Sequence, residues 1–475
     1  MWSPATGAVS VLVAEEALDL GGQLVAGLQL ELGALAGAQD PATPADGLVA
    51  GTGLVDGRPV AAGAEDFTVK GGSIGVANND KRVRLAEVAG RERIPLVLLL
   101  DGAGHRLTGG DGAGRRPNDL QTLADLSGKV PVVSLVLGPS AGHGALGAVL
   151  SDHVVMTEQA AVFSAGPLLV RAATGEEVSA AELGGPAVHA AGSGVVHDVV
   201  ADDRAAVEAA RDWLSYLPSN AWSAPPVTPG PGDGERDLDR ILDLVPADDR
   251  RPYPMLPVVE HVMDAGSVLS VQRGFGQGMV TALARLEGRP VAVVANDPSH
   301  GAGAIGVDEA RKATHFLAVA DAFHLPVVFL ADNPGVLAGT AAERAGALRA
   351  AAGLFVAQRR VRSTKVHVTV RKAFGFGSSV MAMNPFDHQT TTLAFPGVSL
   401  ASMPARGGGE AAKLDGEAAT EAVTSQAAGP YRTAAAMGYD DVIDPRRLRN
   451  RLLVALRHSA SSGPFVPAGH TGIAP

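Results

Sequence analysis

Asp56-Gly-Arg-Pro-Val-Ala61 and Glu287-Gly-Arg-Pro-Val-Ala292 are one phrase written twice, 231 residues apart (287 minus 56). A single shared Gly-Arg-Pro-Val would be weak. The same offset, however, carries Asp66 to Asp297, Gly72 to Gly303, Ile74 to Ile305, Gly75 to Gly306, Pro95 to Pro326, Asp101 to Asp332 and Gly166 to Gly397. Gly142 matches Gly375 at 233, which needs a two-residue insertion. Chance similarity between Gly- and Ala-rich sequences does not hold a constant offset, so the chain carries two copies of one fold. Residues 48–215 and 279–445 are expected to superpose, with Asp101 and Asp332 at equivalent places.

Outward from these repeats, short apolar runs alternate with Ala-rich stretches of helical period. Residues 94–101, 130–137, 291–295, 326–330 and 366–370 read as buried strands, and 205–214 and 308–323 as helices. This alternation predicts an α/β fold. Prolines at 218, 225, 226, 229, 231, 246, 252, 254 and 257 interrupt it. Such a run cannot hold a central strand or a long helix, so 218–257 is expected as a linker with a short helix near 238–244. The expected domains are therefore 1–217 and 258–475 on either side of it.

Composition narrows the function. The 475 residues hold 39 Lys plus Arg against 50 Asp plus Glu, a net charge of −11. That balance argues against a nucleic-acid partner, which needs a clustered basic face. Cysteine is absent, which removes disulfides, thiol nucleophiles and Cys-ligated zinc. Hydrophobic residues at 46% can build a large core, and with only 4% aromatics and 59 glycines that core must be Ala, Val and Leu with close backbone approach. The first apolar stretch, 10–36, carries Glu15, Glu16, Asp19 and Glu31, charges that are costly at a bilayer centre, and no basic segment precedes it. A cytoplasmic protein with no membrane partner is expected.

Each copy carries two glycine-rich turns after strands. They are Asp66-Phe-Thr-Val-Lys-Gly-Gly-Ser73 and Gly138-Pro-Ser-Ala-Gly-His-Gly144 in the first, Asn296-Asp-Pro-Ser-His-Gly-Ala-Gly303 and Ala373-Phe-Gly-Phe-Gly-Ser-Ser379 in the second. The later turn of each pair precedes an apolar helical stretch. A helix start leaves backbone N–H groups without partners, and two of them about 2.7–3.1 Å from an acyl oxygen make an oxyanion hole, each donor worth roughly 3–4 kcal/mol. Gly138-Pro-Ser-Ala-Gly142 also matches the G-x-S-x-G nucleophile elbow, with Ser140 as nucleophile and His197 or His261 downstream. Against that reading, Arg371-Lys-Ala373 stands at the matched place in the second copy, and Pro139 is unusual in a strained elbow. Gly274-Phe-Gly-Gln-Gly278 lacks the strand-to-helix setting of a phosphate cradle, and His143, His300, His367 and His388 have no metal-ligand spacing. Asp152 and Asp387 read as caps or turn residues, and Asp332-Asn-Pro-Gly335 as a turn after a strand. The residues thus offer paired backbone oxyanion sites without an obvious side-chain base, metal or nucleophile.

At these motifs the chain resembles the carboxyltransferase (beta) subunits of biotin-dependent acyl-CoA carboxylases, the propionyl-CoA carboxylase type. The resemblance is carried by Glu65-Asp-Phe-Thr-Val-Lys-Gly-Gly-Ser73, Asp101-Gly-Ala-Gly-His-Arg106, Gly138-Pro-Ser-Ala-Gly142, Thr174-Gly-Glu-Glu-Val178 and Glu182-Leu-Gly-Gly185. In the second half it is carried by Asp332-Asn-Pro-Gly335, Gly339-Thr340, Arg371-Lys-Ala373 and Gly438-Tyr-Asp-Asp-Val-Ile-Asp-Pro445. It implies two tandem crotonase-like ββα-superhelix domains, the N-terminal one on the acyl-CoA side and the C-terminal one on the biotin side. It implies biotin carried on a partner carrier protein, a biotin carboxylase partner, a coenzyme A thioester substrate and no metal in this subunit. It also implies a homo-oligomer, a hexamer built as a trimer of dimers. In such enzymes carboxybiotin releases CO₂, the biotin anion takes the α-proton, and the acyl-CoA enolate captures CO₂. Gly142, His143, Phe376 and Gly377 fall at the catalytic oxyanion turns, and Gly71, Gly72, Gly104, Arg106, Gly166 and Ser379 at substrate-binding positions. The missing cysteines exclude the acetyl-CoA variant with a zinc ribbon.

Several positions depart from the family pattern. Gly142-His143-Gly144 stands for Gly-Gly-Ala, and Gly375-Phe-Gly-Ser-Ser379 for Gly-Gly-Ala-Tyr-Asp. Arg349-Ala-Ala-Ala352 replaces Arg-His-Gly-Ala, and the helical N-terminal segment is largely missing. The departures leave open a biotin-independent decarboxylase or tailoring enzyme working through the same enolate, or a non-catalytic subunit. Phe376 is expected to add bulk on the biotin side, and His143 a proton donor beside the acyl enolate.

Overall fold

A computed structural model describes residues 29–106, 117–228, 230, 234–401, 429–459, 464–468 and 473. Most of the acidic 10–36 stretch lies outside them. No helix among the described residues is long and apolar enough to cross a membrane.

The chain divides into two compact units, one running to Ala224 and taking in the chain from Phe465, the other Pro225–Pro464. In the first unit the strands are β1 (Leu30–Glu31), β2 (Leu48–Val55), β3 (Arg58–Glu65), β4 (Leu96–Gly102), β5 (Val132–Ala141), β6 (His153–Thr157), β7 (Ala161–Phe163) and β8 (Asp198–Val200). Their order is β1-β2-β3-β4-β5-β6-β8, with β7 also on β5. In the second unit they are β9 (Leu269–Val271), β10 (Met279–Leu286), β11 (Arg289–Asn296), β12 (Val327–Asn333), β13 (Lys365–Phe374), β14 (Thr391–Ala394), β15 (Ser399–Ala401) and β16 (Asp441–Val442). The order there is β16-β14-β13-β12-β11-β10-β9, with β15 also on β13. Each sheet is antiparallel through its hairpin and parallel beyond it. This is the expected α/β repeat.

The repeated phrase makes the hairpin. Asp56 and Gly57 have φ of 48° and 78°, and Glu287 and Gly288 have 51° and 69°. Two consecutive residues at positive φ make the two-residue turn whose twist matches paired strands. Pro59 and Pro290, one residue inside the next strand, set its start. After β3 and β11 the chain kinks through Lys70–Gly72 and Gly301–Gly303, again at positive φ in both copies. Isolated bridges Ile74 to His105 and Ile305 to Val336 follow at the same offset. Asp101 and Asp332 end β4 and β12 equivalently.

A buried lysine completes the symmetry. Lys81, in the helix Val76–Glu92, donates to the Leu48 carbonyl, and Lys312, in the helix Val307–Ala322, donates to the Met279 carbonyl at 2.7 Å. Both ammonium groups are pushed down to about 8, chiefly by burial. Each thus ties a helix to the first residue of its hairpin.

Two expectations need correction. The proline-rich 218–257 is not a free linker. Prolines forbid regular structure but not burial, and Leu238, Ile241, Tyr253 and Met255 between them enter the second unit's core with Val259, Val293, Leu330 and Val368. The short helix is Ile241–Leu244. The second correction concerns residues 138–141, expected in a turn. They extend β5, which leaves β6 after Val136 and pairs Pro139–Ala141 with β7 instead. The turn proper begins at Gly142.

The second core also predicts a pH response. His367 is buried in β13, bonded to the Met381 carbonyl at 2.7 Å and to Thr369 Oγ1 at 2.7 Å. Burial lowers its pKa to about 4. The unfolded chain, with histidine near 6.5, binds the extra proton between those values, so stability falls as pH drops from about 6.5 towards 4. Chemical denaturation from pH 7 to 4.5 is expected to show this loss, and His367→Gln to flatten it. An unchanged slope in the variant would assign the loss to other groups.

Candidate active site

The ends of β3, β4 and β5 gather the first unit's glycines. Gly72, at φ +62°, lies so close to β4 that an added Cβ would sit 2.2 Å from the Asp101 carbonyl oxygen. The Gly71 carbonyl accepts the Ala103 N–H at 2.9 Å, and the Gly104 carbonyl accepts the Ile74 N–H at 2.8 Å. Gly104, at φ +82°, packs against the next turn: its Cβ would lie 2.7 Å from the Ala141 carbonyl oxygen and 3.9 Å from the His143 nitrogen. Only glycine leaves that approach open.

Gly142 has φ +56° and opens the helix His143–Val149. Its own N–H is occupied, donating to the Phe163 carbonyl at 2.9 Å. The donors left for an anion are the N–H groups of His143 and Gly144, which have no acceptor within the helix they begin. Gly142 is therefore the pivot of the turn rather than a donor. Gly166 is the N-cap of the helix Pro167–Thr174, where an added Cβ would lie 3.5 Å from the Phe163 ring.

Arg106, expected to meet substrate, is engaged internally. Its guanidinium binds Asp46 Oδ1 at 2.6 Å, Ser73 Oγ at 3.1 Å and the Ser73 carbonyl at 2.8 Å. It ties the loop after β4 to Ser73, at the end of the Gly71–Gly72 kink, and to Asp46.

Charged side chains support the turn from beneath. Glu65 is ion-paired with Arg82, and both are buried. The other Glu65 oxygen accepts the Asp101 N–H at 2.6 Å. Burial raises the Glu65 pKa, with Arg82 offsetting part. Asp101 is pushed up to about 6 by burial and by Glu65. Arg82 also lies 4.0 Å from Asp119, whose carboxylate is hydrogen-bonded to His143 Nε2. Burial works to raise Asp119, but the His143 hydrogen bond and Arg82 outweigh it and hold the group low. A carboxylate only accepts, so Nε2 carries the proton. The His105 ring meets His143 edge-on at 4.9 Å between centroids. Sequence reading missed Asp119 and Arg82, because partners 24 and 17 residues away form no local motif.

The nucleophile elbow does not form. Ser140 lies within β5, fully buried, and its hydroxyl has no hydrogen-bond partner. His197 Nδ1 accepts the Val154 N–H at 3.0 Å instead.

The second unit repeats the turn with other side chains. Gly375, like Gly142 at φ +56°, begins the helix Gly375–Val380. Gly377 packs on the Asp332-Asn-Pro-Gly335 turn, where a Cβ would come within 2.5 Å of Asn333 Oδ1. Asn296 accepts the Asp332 N–H at 3.2 Å, as Glu65 does for Asp101. Asp332 is held by Tyr253 at 2.8 Å and Arg371 at 2.7 Å. Gly138 stands where Arg371 would be in the first copy, so Asp101 lacks that partner. The Ser379 hydroxyl donates inward to Asn384 at 3.0 Å. Phe376, matched to His143, is 52% exposed, whereas the His143 side chain is 10% exposed.

A family model described as the carboxyl transferase domain matches residues 29–471. The chain is 34% identical to the methylmalonyl-CoA carboxyltransferase 12S subunit of Propionibacterium freudenreichii subsp. shermanii, over 92% of its own length and 86% of that protein's. It is 36% identical to the propionyl-CoA carboxylase beta chain of Saccharopolyspora erythraea, over 90% and 83%. The crystal structure of the transcarboxylase 12S hexamer with methylmalonyl-CoA and methylmalonic acid bound is similar at a TM-score of 0.88 and 32% identity, covering 96% of this chain and 92% of that one.

Proposed function

The chain belongs to the carboxyl transferase family, and from that premise we propose that it transfers a carboxyl group to the α carbon of a short acyl-CoA. The observation that carries this reading is the duplicated turn: Gly142 and Gly375 share φ +56°, and each opens a helix whose first amides have no acceptor within that helix. Carboxylation at a thioester α carbon proceeds through an enolate, whose oxygen takes on negative charge. Preorganised amides stabilise that charge and need not reorganise as it develops. We assign the acyl oxygen to the His143 and Gly144 amides, with Gly104 keeping the approach clear.

We assign the ureido group of a biotin to the second turn. Phe376 and Gly377 offer N–H groups for its carbonyl oxygen, and the exposed Phe376 ring offers apolar surface to its bicycle. When bound, biotin supplies activated CO₂ and needs a carrier protein and a biotin carboxylase to deliver it. Phe376 then lies at the rim, as contact surface. Glu65, Arg82 and Asp101 shape the acyl turn and exchange no proton with substrate. We further propose that the chain works as a hexamer, as its 12S relative assembles.

The test is incorporation of labelled bicarbonate into acetyl-, propionyl- and butyryl-CoA, with ATP, a biotin carboxylase and a biotinylated carrier. Acid-stable product that depends on the carrier is expected. Carrier-independent CO₂ release from methylmalonyl-CoA with no carboxylation would overturn the reading.

A further inference from the structure

We propose that Asp119 and His143 form a positioning pair for the acyl-side oxyanion turn; this rests on the carboxyltransferase reading above. His143 is the first residue of the helix to whose opening amides the acyl oxygen is assigned above. The residue before it, Gly142, has the backbone freedom of glycine, so the turn needs a tether to hold its amides in one direction. The His143 ring supplies one by donating from Nε2 to Asp119.

The anchor is itself fixed. Asp119 is the first residue of the helix Asp119–Leu126, capped by Asn118, whose side chain accepts the Leu120 N–H at 2.9 Å. Beyond Asp119 lies Arg82 at 4.0 Å, then Glu65, then the Asp101 N–H at the end of β4. Alternating charges in series thus connect the ends of β3 and β4 to the peptide that would bind the enolate. The side chains of His143, Asp119, Arg82 and Glu65 are each no more than 10% exposed. The His105 ring meets that of His143 edge-on, 4.9 Å between centroids.

The second copy lacks this device. Its turn carries the exposed Phe376, and Ala313 stands at the position matched to Arg82. The tether therefore belongs to the acyl side, where the enolate forms.

Asp119→Ala removes the anchor, and Asp119→Asn keeps an acceptor oxygen without the charge. For Asp119→Ala, kcat is expected to fall roughly 10²-fold, the order seen when a catalytic group is misplaced by ~1 Å. KM for acyl-CoA stays within about twofold, and Asp119→Asn lies between. Asp119→Ala combined with His143→Ala should be no slower than His143→Ala alone, since both cut one tether. Wild-type kcat in Asp119→Ala, or fully additive losses, would overturn the proposal. Hydrogen exchange gives a readout independent of turnover. Amides of residues 141–149 should exchange faster in both Asp119 variants, with the Val307–Ala322 helix unchanged. Unchanged exchange at 141–149 would also overturn it. If the wild-type chain carboxylates nothing, the functional reading fails on its own, and hydrogen exchange still decides whether the pair positions the turn.

Discussion

Gly104→Ala is expected to lower kcat for acyl-CoA carboxylation by 10²-fold or more. Gly104 sits at φ +82°, and its Cβ would come 2.7 Å from the Ala141 carbonyl oxygen. That oxygen is backbone, so the contact is relieved only by moving the turn. Gly104 cannot easily retreat, because its carbonyl accepts the Ile74 N–H at 2.8 Å. Alanine at positive φ costs about 1–3 kcal/mol in backbone strain, which a domain of this size can survive. The chemistry is less tolerant, because a shift of ~1 Å at a catalytic group can cost about 10²-fold. Gly57→Ala is the control. Gly57 has a similar φ of +78° with nothing within 4 Å of its Cβ, so it should lose stability and keep kcat. Gly104→Ala at the wild-type rate would remove Gly104 from the site.

The second large effect concerns stability. Arg82→Ala leaves the Glu65 carboxylate, 1% exposed, without its partner. Breaking a buried pair from one side costs about 3–5 kcal/mol. Asp101, beside Glu65, aggravates the loss by like charge. The sign with pH follows from Glu65, whose folded pKa lies above its unfolded value. An acid shifted that way binds more protons folded than unfolded, so stability is lost as pH rises above ~4.5 and regained on acidification. Denaturant titrations should therefore show a smaller deficit at pH 5 than at pH 7.5. Glu65→Leu with Arg82→Met should recover much of the stability, since a buried pair can be replaced by apolar groups of similar volume. An Arg82→Ala deficit that is small and constant with pH would mean the pair contributes little.

The relation between His143 and Phe376 illustrates how far the sequence can be read. Their equivalence follows from the offset of the two glycine turns and is visible without coordinates. Their fates differ because partners differ. His143 finds Asp119 on a neighbouring helix, while Phe376 stays exposed. The expected proton donor is a ring already donating to a carboxylate. The expected obstruction on the biotin side is a side chain turned to solvent in this chain.

The proline-rich segment makes the same point from the fold. Its prolines state what backbone structure is forbidden. They do not state that Tyr253 will bond Asp332, or that the Arg371 guanidinium will bind the carbonyls of Asp248 at 2.8 Å and Arg251 at 2.9 Å. Arg106 was readable as part of a motif, but its engagement with Asp46, 60 residues away, was not.

By itself the sequence determined the duplicated fold, five of its central strands and the paired glycine turns at Gly142 and Gly375. Those features depend on local period and on glycine at positive φ, which a chain writes into consecutive residues. Only the tertiary structure decided which charges meet, that the Gly142 amide is already used, and that the presumed linker is core. Such contacts join residues far apart in the chain, and their free energy comes from burial and geometry at the meeting point rather than from either segment alone.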